Sequence, residues 1–416
     1  MKHSAMTTLV AVLFAALFST LVSCDSDSGG LTVEPFQPAQ TRSHPAFRVQ
    51  IVPDRSTPVE VSSTGTIFVY PFSEGREPIG QFPPGTVMIE PGDRGVIIGG
   101  EAEQYPNRCR LVSESGHLLA VRSDLDASKA YRYRGVVDVF KHSGVLRLIN
   151  ELSVEEYLLG VVGKEMQHAS FTLEALKAQA IVARTFTLYH LRASGIQPPD
   201  QAFPATTFFQ SYGGVEFESD LVVRAVRETS GQVLTFGSRI FQTYYHSACG
   251  GKTASGHVFN EKDIPPFKGV ECGFCNAAPV ARWQMRIDVQ ALQETMRGWA
   301  EEREISLGRL LGLDPVEVDS SGHGTYVRVR HSEGAFEIRA DHLRMLVAAS
   351  GQELPSAHFR AFLDEQSGQF LVEGHGYGHG VGLCQHGAGV MASAKDRNHG
   401  EILVHYFPDS GLKWLY

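Results

Sequence analysis

Short apolar and alternating runs follow one another along the first third of the chain after residue 46. Three of them, residues 59–62, 66–70 and 95–99, are separated by proline and glycine. This pattern is typical of short β-strands joined by tight turns. Two longer runs, residues 136–140 and 144–149, predict a β-hairpin that turns at residues 142–144.

The helical pattern begins directly after this hairpin. Ser153 followed three residues later by Glu156 is a capping box and predicts a short helix. Residues 173–191 are apolar on nearly every face, so we expect a buried helix with Glu174, Lys177 and Arg184 near one seam. Further along we expect the elements that follow from the same periodicities: a helix at 288–311, a hairpin at 326–338, a helix at 401–407 and a strand at 412–416. The expected fold class is α+β, mostly β with one buried central helix.

The N-terminus has the features of an export signal. Residues 6–23 carry no charge, and the apolar run ends at Ser23–Cys24. A cysteine at this boundary resembles a bacterial lipobox and predicts lipidation of Cys24; the alternative is an ordinary signal peptide or short membrane anchor with an incidental cysteine. We therefore divide the chain into a lipoprotein signal peptide (1–24), a flexible tether (25–45), an N-terminal β-rich region (46–128) and a catalytic domain (129–416).

Composition and charge exclude some classes of function. The 416 residues are 43% hydrophobic, which is ordinary for a globular chain with enough apolar material for a core. The net charge is −9 and no basic stripe is visible, which argues against a nucleic-acid partner. Lone Cys109 and His117 in the β-rich region are expected to be packing residues.

A long motif occupies the region around the two predicted helices. Residues 155–166 are EEYLLGVVGKEM and residues 174–185 are EALKAQAIVART. Further segments follow in order: QSYGG at 210–214, TSGQVL at 229–234, YHSACGGKT at 245–253 and GHGVGLCQHGA at 378–388. Together they resemble the SpoIID/LytB family from about residue 131 to the C-terminus. The chain departs from the family pattern at Leu383–Cys384, where Met-Ser is common, and at His386, where an aromatic residue is common.

The resemblance implies a SpoIID-like fold and a lytic transglycosylase, which cleaves between N-acetylmuramic acid and N-acetylglucosamine and leaves a 1,6-anhydro sugar. The family's catalytic glutamate falls on Glu165. Because the sugar's own 6-hydroxyl replaces water, one carboxylate can protonate the leaving oxygen and then accept the hydroxyl proton. Such a group needs a raised pKa, which Val161, Val162 and Met166 could provide through burial. The alternative is a solvated glutamate at a helix end. The residues that we expect to bind substrate are Lys177, Arg184, Gln210, Tyr212, His379 and Gln385.

Two closely spaced pairs, His246 with Cys249 and Cys272 with Cys275, have the spacing of zinc ligands. Four protein ligands close a tetrahedral site, so zinc would be structural. A disulfide between two of the cysteines, with His246 a core residue, is the alternative. The glycine-rich segment 374–382 lacks phosphate-loop spacing, so we expect no nucleotide cofactor. It could contact sugar through His379, or it could be a tight structural turn.

The expected partners are peptidoglycan glycan strands, with or without their stem peptides, the membrane through the lipid anchor, and a cell-wall amidase or another envelope protein. The expected location is the cell envelope, facing the periplasm or the exterior. Two rival functions remain: a non-catalytic modulator of an amidase, and a zinc hydrolase that cuts the sugar–peptide amide. The hydrolase would need an open metal position.

Overall fold

A computed structural model describes residues 45–72, 77–100, 104–122, 129–167, 171–195, 201–206, 209–259 and 264–416. The expected signal peptide, the lipidation site at Cys24 and nearly all of the tether lie outside the described residues. Among the helices described, none combines the length and the apolar character needed to cross a membrane.

Strands outnumber helices in the described residues, which confirms the expected α+β fold with mostly β structure. The strands are β1 (Ala46–Arg55), β2 (Val59–Ser63), β3 (Ile67–Pro71), β4 (Gly80–Phe82), β5 (Gly85–Pro91), β6 (Val96–Ile98), β7 (Arg108–Ser113), β8 (Leu119–Arg122), β9 (Ala130–Tyr133), β10 (Val136–His142), β11 (Val145–Ser153), β12 (Phe203–Pro204), β13 (Gln232–Phe236), β14 (Arg239–Ile240), β15 (Tyr245–His246), β16 (Arg282–Asp288), β17 (Leu310–Val318), β18 (Gly324–His331), β19 (Gly334–Arg339), β20 (Phe359–Asp364), β21 (Gln369–His375), β22 (Leu383–Cys384) and β23 (Gly411–Trp414). The helices are α1 (Val154–Glu165), α2 (Leu173–Ser194), α3 (Asp220–Glu228), α4 (Val289–Glu301), α5 (Ala340–Ala349), α6 (Gln385–Ala394) and α7 (His399–Tyr406).

Strands β1 to β12 form two sheets. The larger has the strand order β12-β1-β11-β10-β7-β3-β4, and the smaller has the order β6-β5-β2-β8-β9. Apolar residues of both sheets share one buried cluster, which includes Cys109 as a packing residue. The predicted hairpin is confirmed as β10 and β11, which turn through Ser143 and Gly144 at φ 48° and 79°. Strand β1 belongs to the predicted N-terminal region and pairs with β11 of the predicted catalytic domain, so one sheet contains residues from both sides of the predicted boundary at residue 129. The division into domains stays a prediction.

Helix α2 is the expected buried helix, and two core clusters explain why it is apolar on nearly all sides. Ala175, Ala180 and Ala183 pack into the cluster of the first sheets. Ile181 and Val182 pack into a second cluster, formed with residues of α6 and α7 and the cysteines near them. Up to Leu188 the helix is buried on most sides, so polar side chains such as Arg184 must find their partners within the protein.

Residues 282–375 form a further layer with its own core. The sheets β16-β21-β20 and β17-β18-β19 pack with α4 and α5 around a third apolar cluster. The hairpin expected at 326–338 is confirmed as β18 and β19, and α7 and β23 are found where they were predicted. The helix predicted at 288–311 is wrong beyond Glu301: the chain turns at Glu304, whose φ is 56°, and Leu310 begins β17 because its apolar side chain enters the sheet core.

Candidate active site and cysteine cluster

The catalytic candidate Glu165 is the last residue of α1. The helix begins with the predicted capping box: Ser153 Oγ accepts a hydrogen bond from the Glu156 amide at 3.2 Å, and the Glu156 carboxylate accepts one from the Ser153 amide at 3.1 Å. Tyr157 and Leu158 are fully buried on the inner side of α1. The fixed start and buried inner side determine the direction in which the end of the helix presents Glu165.

Two glycines of α1 let another chain segment approach the helix closely. A β-carbon on Gly160 would lie 2.6 Å from the Tyr212 ring, and one on Gly163 would lie 1.7 Å from the Phe217 carbonyl oxygen. Neither position has room for a side chain. As a result the segment from Ser211 onward lies against α1, and the Ser211 amide donates a 2.7 Å hydrogen bond to Glu165 Oε1.

Glu165 is half-buried at the end of this helix. Burial raises its pKa above the usual 4.5, and the hydrogen bond from Ser211, the nearby Tyr245 hydroxyl and the charge of Lys164 offset part of that rise. A carboxyl group with a raised pKa keeps its proton nearer to neutral pH, which suits a general acid.

Tyr245 is the neighbour of Glu165 that the sequence did not single out. Its hydroxyl is buried and, among the described residues, makes no hydrogen bond of standard geometry. Burial and the nearby Glu165 charge both raise the pKa of this phenol well above its usual range. The same two causes raise the pKa of Tyr157. Glu165 therefore has two phenols near it, those of Tyr157 and Tyr245, which keep their protons and could share the Glu165 proton or contact a substrate oxygen.

The glycine-rich segment after β21 holds Tyr245 in place. Gly376, Gly378, Gly380 and Gly382 all have positive φ, and a β-carbon on Gly382 would lie 2.2 Å from the Tyr244 carbonyl oxygen. The Leu383 amide donates to that carbonyl at 3.0 Å, and β22 pairs in parallel with β15. Because glycine has no side chain, the backbone of this segment can contact the strand that carries Tyr245 directly.

Arg184 and Lys177, two of the six predicted substrate-binding residues, form ion pairs within the protein. Arg184 is fully buried, and its guanidinium donates two 2.7 Å hydrogen bonds to Glu155. Lys177 pairs with Glu174 and Glu228, at 2.8 and 2.6 Å. These contacts hold α2 to α1 and α3.

Gln210 and Tyr212, two more of the six, stand on either side of Ser211 in the chain. Gln210 is fully buried, and its Oε1 lies 2.8 Å from the Thr187 hydroxyl of α2. Tyr212 donates a 2.8 Å hydrogen bond to Asn150 Oδ1. Both residues fix the chain on either side of Ser211, so the structure gives them a positioning role towards Glu165.

His379 belongs to the glycine-rich segment, and Gln385 belongs to α6. His379 is partly exposed, packs against Tyr244 and His246, and its Nδ1 accepts from the Val381 amide at 3.1 Å. Gln385 is the first residue of α6, and its buried Nε2 has no hydrogen-bond partner among the residues described. An unpaired buried donor is costly, so this amide is available to a bound oxygen acceptor. The roles of both in substrate binding stay predictions.

The sulfur atoms of four cysteines lie close together near β15. The sulfurs of Cys249, Cys272, Cys275 and Cys384 all lie within 4.8 Å of one another, and those of Cys249 and Cys275 are 3.4 Å apart. All four residues are buried, and none of the cysteines in the described part of the chain forms a disulfide. Hydrogen bonds from the neighbouring thiols lower the pKa of Cys275.

The donor set fits a thiophilic metal ion. Four sulfurs around zinc at about 2.3 Å would be roughly 3.8 Å apart, close to the spacing here. The Gly387 amide at the start of α6 donates to Cys384 Sγ at 3.3 Å, which stabilises a thiolate. Such a group could hold a metal ion without a position left for water.

The group differs from the four ligands predicted from the sequence at one position. Cys384 occurs with the other three cysteines in place of His246, which is paired with Cys384 across the β15–β22 ladder. The His246 Nδ1 instead donates to the Val381 carbonyl at 3.0 Å, and burial lowers its pKa to about 4. The signal that could have identified Cys384 was its departure from the serine usual in the motif.

The segment that contains these site residues is also similar to known proteins. Residues 142–236, which contain Glu165, Gln210 and Tyr212, match the family model described as Stage II sporulation protein, SpoIID. Residues 262–382 match a domain of unknown function.

Three relatives extend the similarity. An uncharacterised protein of Brachyspira hyodysenteriae is 27% identical over 361 residues, which is 87% of this chain and 91% of that protein. The amidase enhancer of Bacillus subtilis is 27% identical over 61% of this chain but only 40% of its own length. The stage II sporulation protein D of the same organism is 26% identical over 62% of this chain and 74% of that protein. The matched segment, the motif around Glu165 and these relatives together support membership of the SpoIID family.

Proposed function

We propose that this protein is a peptidoglycan lytic transglycosylase in which Glu165 acts as general acid and then as general base. SpoIID membership and the similarity to an amidase enhancer support a role at the cell wall. The observation that carries the proposal is the environment of Glu165: a half-buried carboxyl group with a raised pKa, oriented by the Ser211 amide at 2.7 Å.

In the first step the protonated Glu165 donates its proton to the glycosidic oxygen. The bond between that oxygen and C1 of the muramic residue breaks, the leaving sugar departs as an alcohol, and positive charge develops at C1. Glu165 is now a carboxylate. The Ser211 amide stabilises this form, and so do the hydrogen-bonding groups that offset the rise in its pKa.

In the second step the Glu165 carboxylate accepts the proton of the muramic 6-hydroxyl. The 6-oxygen forms a bond to C1 and closes the 1,6-anhydro ring, so Glu165 recovers its proton and no water is consumed. One carboxyl group thus performs the work that hydrolytic glycosidases divide between two.

The test is product analysis. The chain without residues 1–24 would be incubated with purified peptidoglycan, both intact and stripped of peptides, and the released sugars identified by mass spectrometry. We expect anhydro-muramic ends that disappear in Glu165→Gln and persist in Glu271→Gln, a control at an exposed glutamate 80% accessible to solvent. Free reducing ends would indicate a hydrolase, and released peptides an amidase.

The cysteine group supports a second proposal, that Cys249, Cys272, Cys275 and Cys384 hold a structural zinc ion. When bound, zinc would supply cross-linking through four sulfur bonds and no catalytic chemistry, because a closed site excludes water. Cys249 follows β15 and Cys384 is the last residue of β22, so the ion would help to keep the two strands together and Tyr245 next to Glu165.

A modulator of a cell-wall amidase is the second candidate function, favoured by the similarity to the amidase enhancer. A folded, metal-loaded protein that yields no sugar product, yet increases peptide release by an added amidase, would establish it. Glu165→Gln would then retain the effect.

We also propose that Cys24 carries lipid and that the protein faces the periplasm or the cell exterior. Incorporation of labelled fatty acid into the full chain, and its loss in Cys24→Ala, would test this anchor.

A further inference from the structure

Three histidine rings form a row at the junction between the layer of residues 282–375 and the glycine-rich segment that follows it. The ring centroids of His323 and His358 are 5.5 Å apart, and those of His358 and His375 are 4.8 Å apart. His323 directly precedes β18, His358 directly precedes β20, and His375 is the last residue of β21. We call these three residues the histidine column.

The junction is held mainly by polar and backbone contacts. The apolar cluster of the layer and the cluster around α6 and α7 consist of different residues. Across the junction the Gly378 amide donates to the Pro355 carbonyl at 2.9 Å, and the Ser255 amide donates to Asp319 Oδ2 at 2.7 Å. A contact that buries few apolar side chains can open while the cores on either side stay folded.

His323 is the innermost member of the column, and its hydrogen bonds hold it as a neutral ring. Its side chain is fully buried. The Ser321 hydroxyl donates to the Asp319 carboxylate, so the hydroxyl oxygen is left to accept from His323 Nδ1 at 2.9 Å. The ring proton is therefore on Nδ1, and Nε2 has a free lone pair.

A second proton on His323 would have no acceptor among the residues described. The Nε2 atom is buried and unpartnered, and a β-carbon on Gly380 would lie 2.6 Å from it, so it faces the backbone of the glycine-rich segment. Burial, followed by the charges of His358, His246 and Arg344, lowers the pKa of His323 to about 3. The ring therefore stays neutral at neutral and mildly acidic pH as long as the junction is closed.

The charged groups around the column do not compensate added protons. The Asp319 carboxylate faces His323 and His358, and it already accepts from the amides of Ser255 and Ser321 at 2.7 and 2.8 Å. The exposed Glu373, two residues before His375 on β21, is opposite Arg360. The other titratable groups that face the column are basic: His246, Arg282, Arg344, Arg360 and His379. Protons added to the column would therefore repel one another and these neighbours.

We propose that the histidine column is an acid-sensitive contact, which fixes the glycine-rich segment to the layer of residues 282–375 at neutral pH and releases it at mildly acidic pH. In the closed state burial keeps the pKa of His323 and that of His358 below the usual 6.5. In the open state the rings contact water and regain that value. The closed state then binds fewer protons than the open state, so it loses stability as pH falls below 6.5.

The titration of His323 alone sets the size of the effect. Between pH 7 and pH 5 the closed ring stays neutral while the open ring becomes mostly protonated, so the opening equilibrium should shift about 25-fold. The release would reach the candidate active site through the same segment, since the Leu383 amide donates to the Tyr244 carbonyl at 3.0 Å. An open segment would free the strand that carries Tyr245.

Hydrogen exchange measured by mass spectrometry tests this contact on the chain from residue 25, in zinc-containing buffer at pH 7 and pH 5. The reporters are the Ser255 and Gly378 amides, whose hydrogen bonds cross the junction. Protection factors are compared because they remove the intrinsic effect of pH on exchange. We expect both protection factors to fall about 25-fold from pH 7 to pH 5, while those of the β10–β11 hairpin stay constant.

Two variants assign the effect to the column. His323→Asn keeps an amide donor near the position of Nδ1 and cannot take up a proton, so its protection factors should hardly differ between the two pH values. His358→Gln changes a partly exposed ring and should show a smaller fall than the wild type, which answers the question if His323→Asn does not fold. His342→Gln is the matched control, because His342 is exposed on α5 of the same layer, and it should behave as the wild type.

Three results would overturn the proposal. Equal protection of the reporters at both pH values in the wild type would show that the junction does not respond to acid. An equal fall in the β10–β11 hairpin would indicate global unfolding. A fall as large in the two column variants as in the wild type would place the acid-sensitive group elsewhere, for example in the cysteine group. The measurement needs no glycan cleavage, so failure of the proposed catalysis would leave its result unchanged.

Discussion

Substitution of Gly163 by alanine tests whether α1 and the segment after Ser211 meet as described. By helix propensity alone the change stabilises a helix interior by about 1 kcal/mol. In this structure the new β-carbon would lie 1.7 Å from the Phe217 carbonyl oxygen and 2.7 Å from the carbonyl carbon. Both atoms are backbone, so the segment must move by more than 1 Å.

The displacement has two costs. Overpacking of this kind costs about 1–3 kcal/mol. Movement of the Ser211 amide also weakens its hydrogen bond to the Glu165 carboxylate, a type of bond that contributes about 1.5–3 kcal/mol. Since the bond need not break completely, we expect Gly163→Ala to lower the free energy of unfolding by about 2 kcal/mol net. A misplacement near 1 Å should reduce kcat/KM by roughly 100-fold.

Urea unfolding and anhydro-product assays would measure both effects, with Gly298→Ala as control. Gly298 lies within α4 and is exposed, and a β-carbon added there would meet no described atom within 4 Å, so its replacement should stabilise the protein by about 0.5–1 kcal/mol. The pH profile adds a further readout. Loss of the Ser211 hydrogen bond raises the pKa of Glu165, so activity that needs its protonated form should persist to higher pH.

Two results would refute the reasoning. If Gly163→Ala were as stable as Gly298→Ala, the close contact with Phe217 would not exist. If Gly163→Ala lost stability but kept full activity and an unchanged pH profile, the Ser211 amide would not orient Glu165.

Three further predictions follow from the contacts of other groups. Burial raises the pKa of Glu165 in the folded protein above the usual 4.5, so its ionisation destabilises the fold as pH rises through that pKa. Calorimetry should therefore show a higher melting temperature for Glu165→Gln than for the wild type at neutral pH, and equal melting temperatures below pH 4.5. Arg184→Met should lower the free energy of unfolding by about 3–5 kcal/mol in urea titrations, because it leaves the Glu155 carboxylate unpaired; a loss under 1 kcal/mol would contradict this. Cys384→Ser should reduce the zinc content per chain measured by mass spectrometry while His246→Asn leaves it unchanged; the reverse pattern would restore the histidine as ligand.

The elements with strong local signals could be predicted from the sequence. The capping box at Ser153, the β10–β11 hairpin and the buried helix α2 each depend on residues close in the chain, and all three are confirmed. The predicted helix after residue 288 extended too far, since apolar residues near Leu310 fit a helical period and a strand equally well.

The site required the tertiary structure. Tyr245 and Ser211 reach Glu165 from segments 80 and 46 residues away in the chain, brought there by the parallel pairing of β15 with β22 and by the glycines of α1. The replacement of His246 by Cys384 in the sulfur group has the same origin, because Cys384 is distant in the chain from the other three cysteines and the pairing of β15 with β22 brings it to them.

Residue types and their local spacing were enough to predict the resemblance to the SpoIID family, the catalytic candidate and a group of cysteines that could hold a metal ion, because that information is carried by short stretches of chain. Folding was needed to establish which side chains surround Glu165, which sulfurs meet, and that Arg184 and Gln210 are buried supports. Burial and close backbone approach depend on contacts between distant segments, and these exist only once the core has formed.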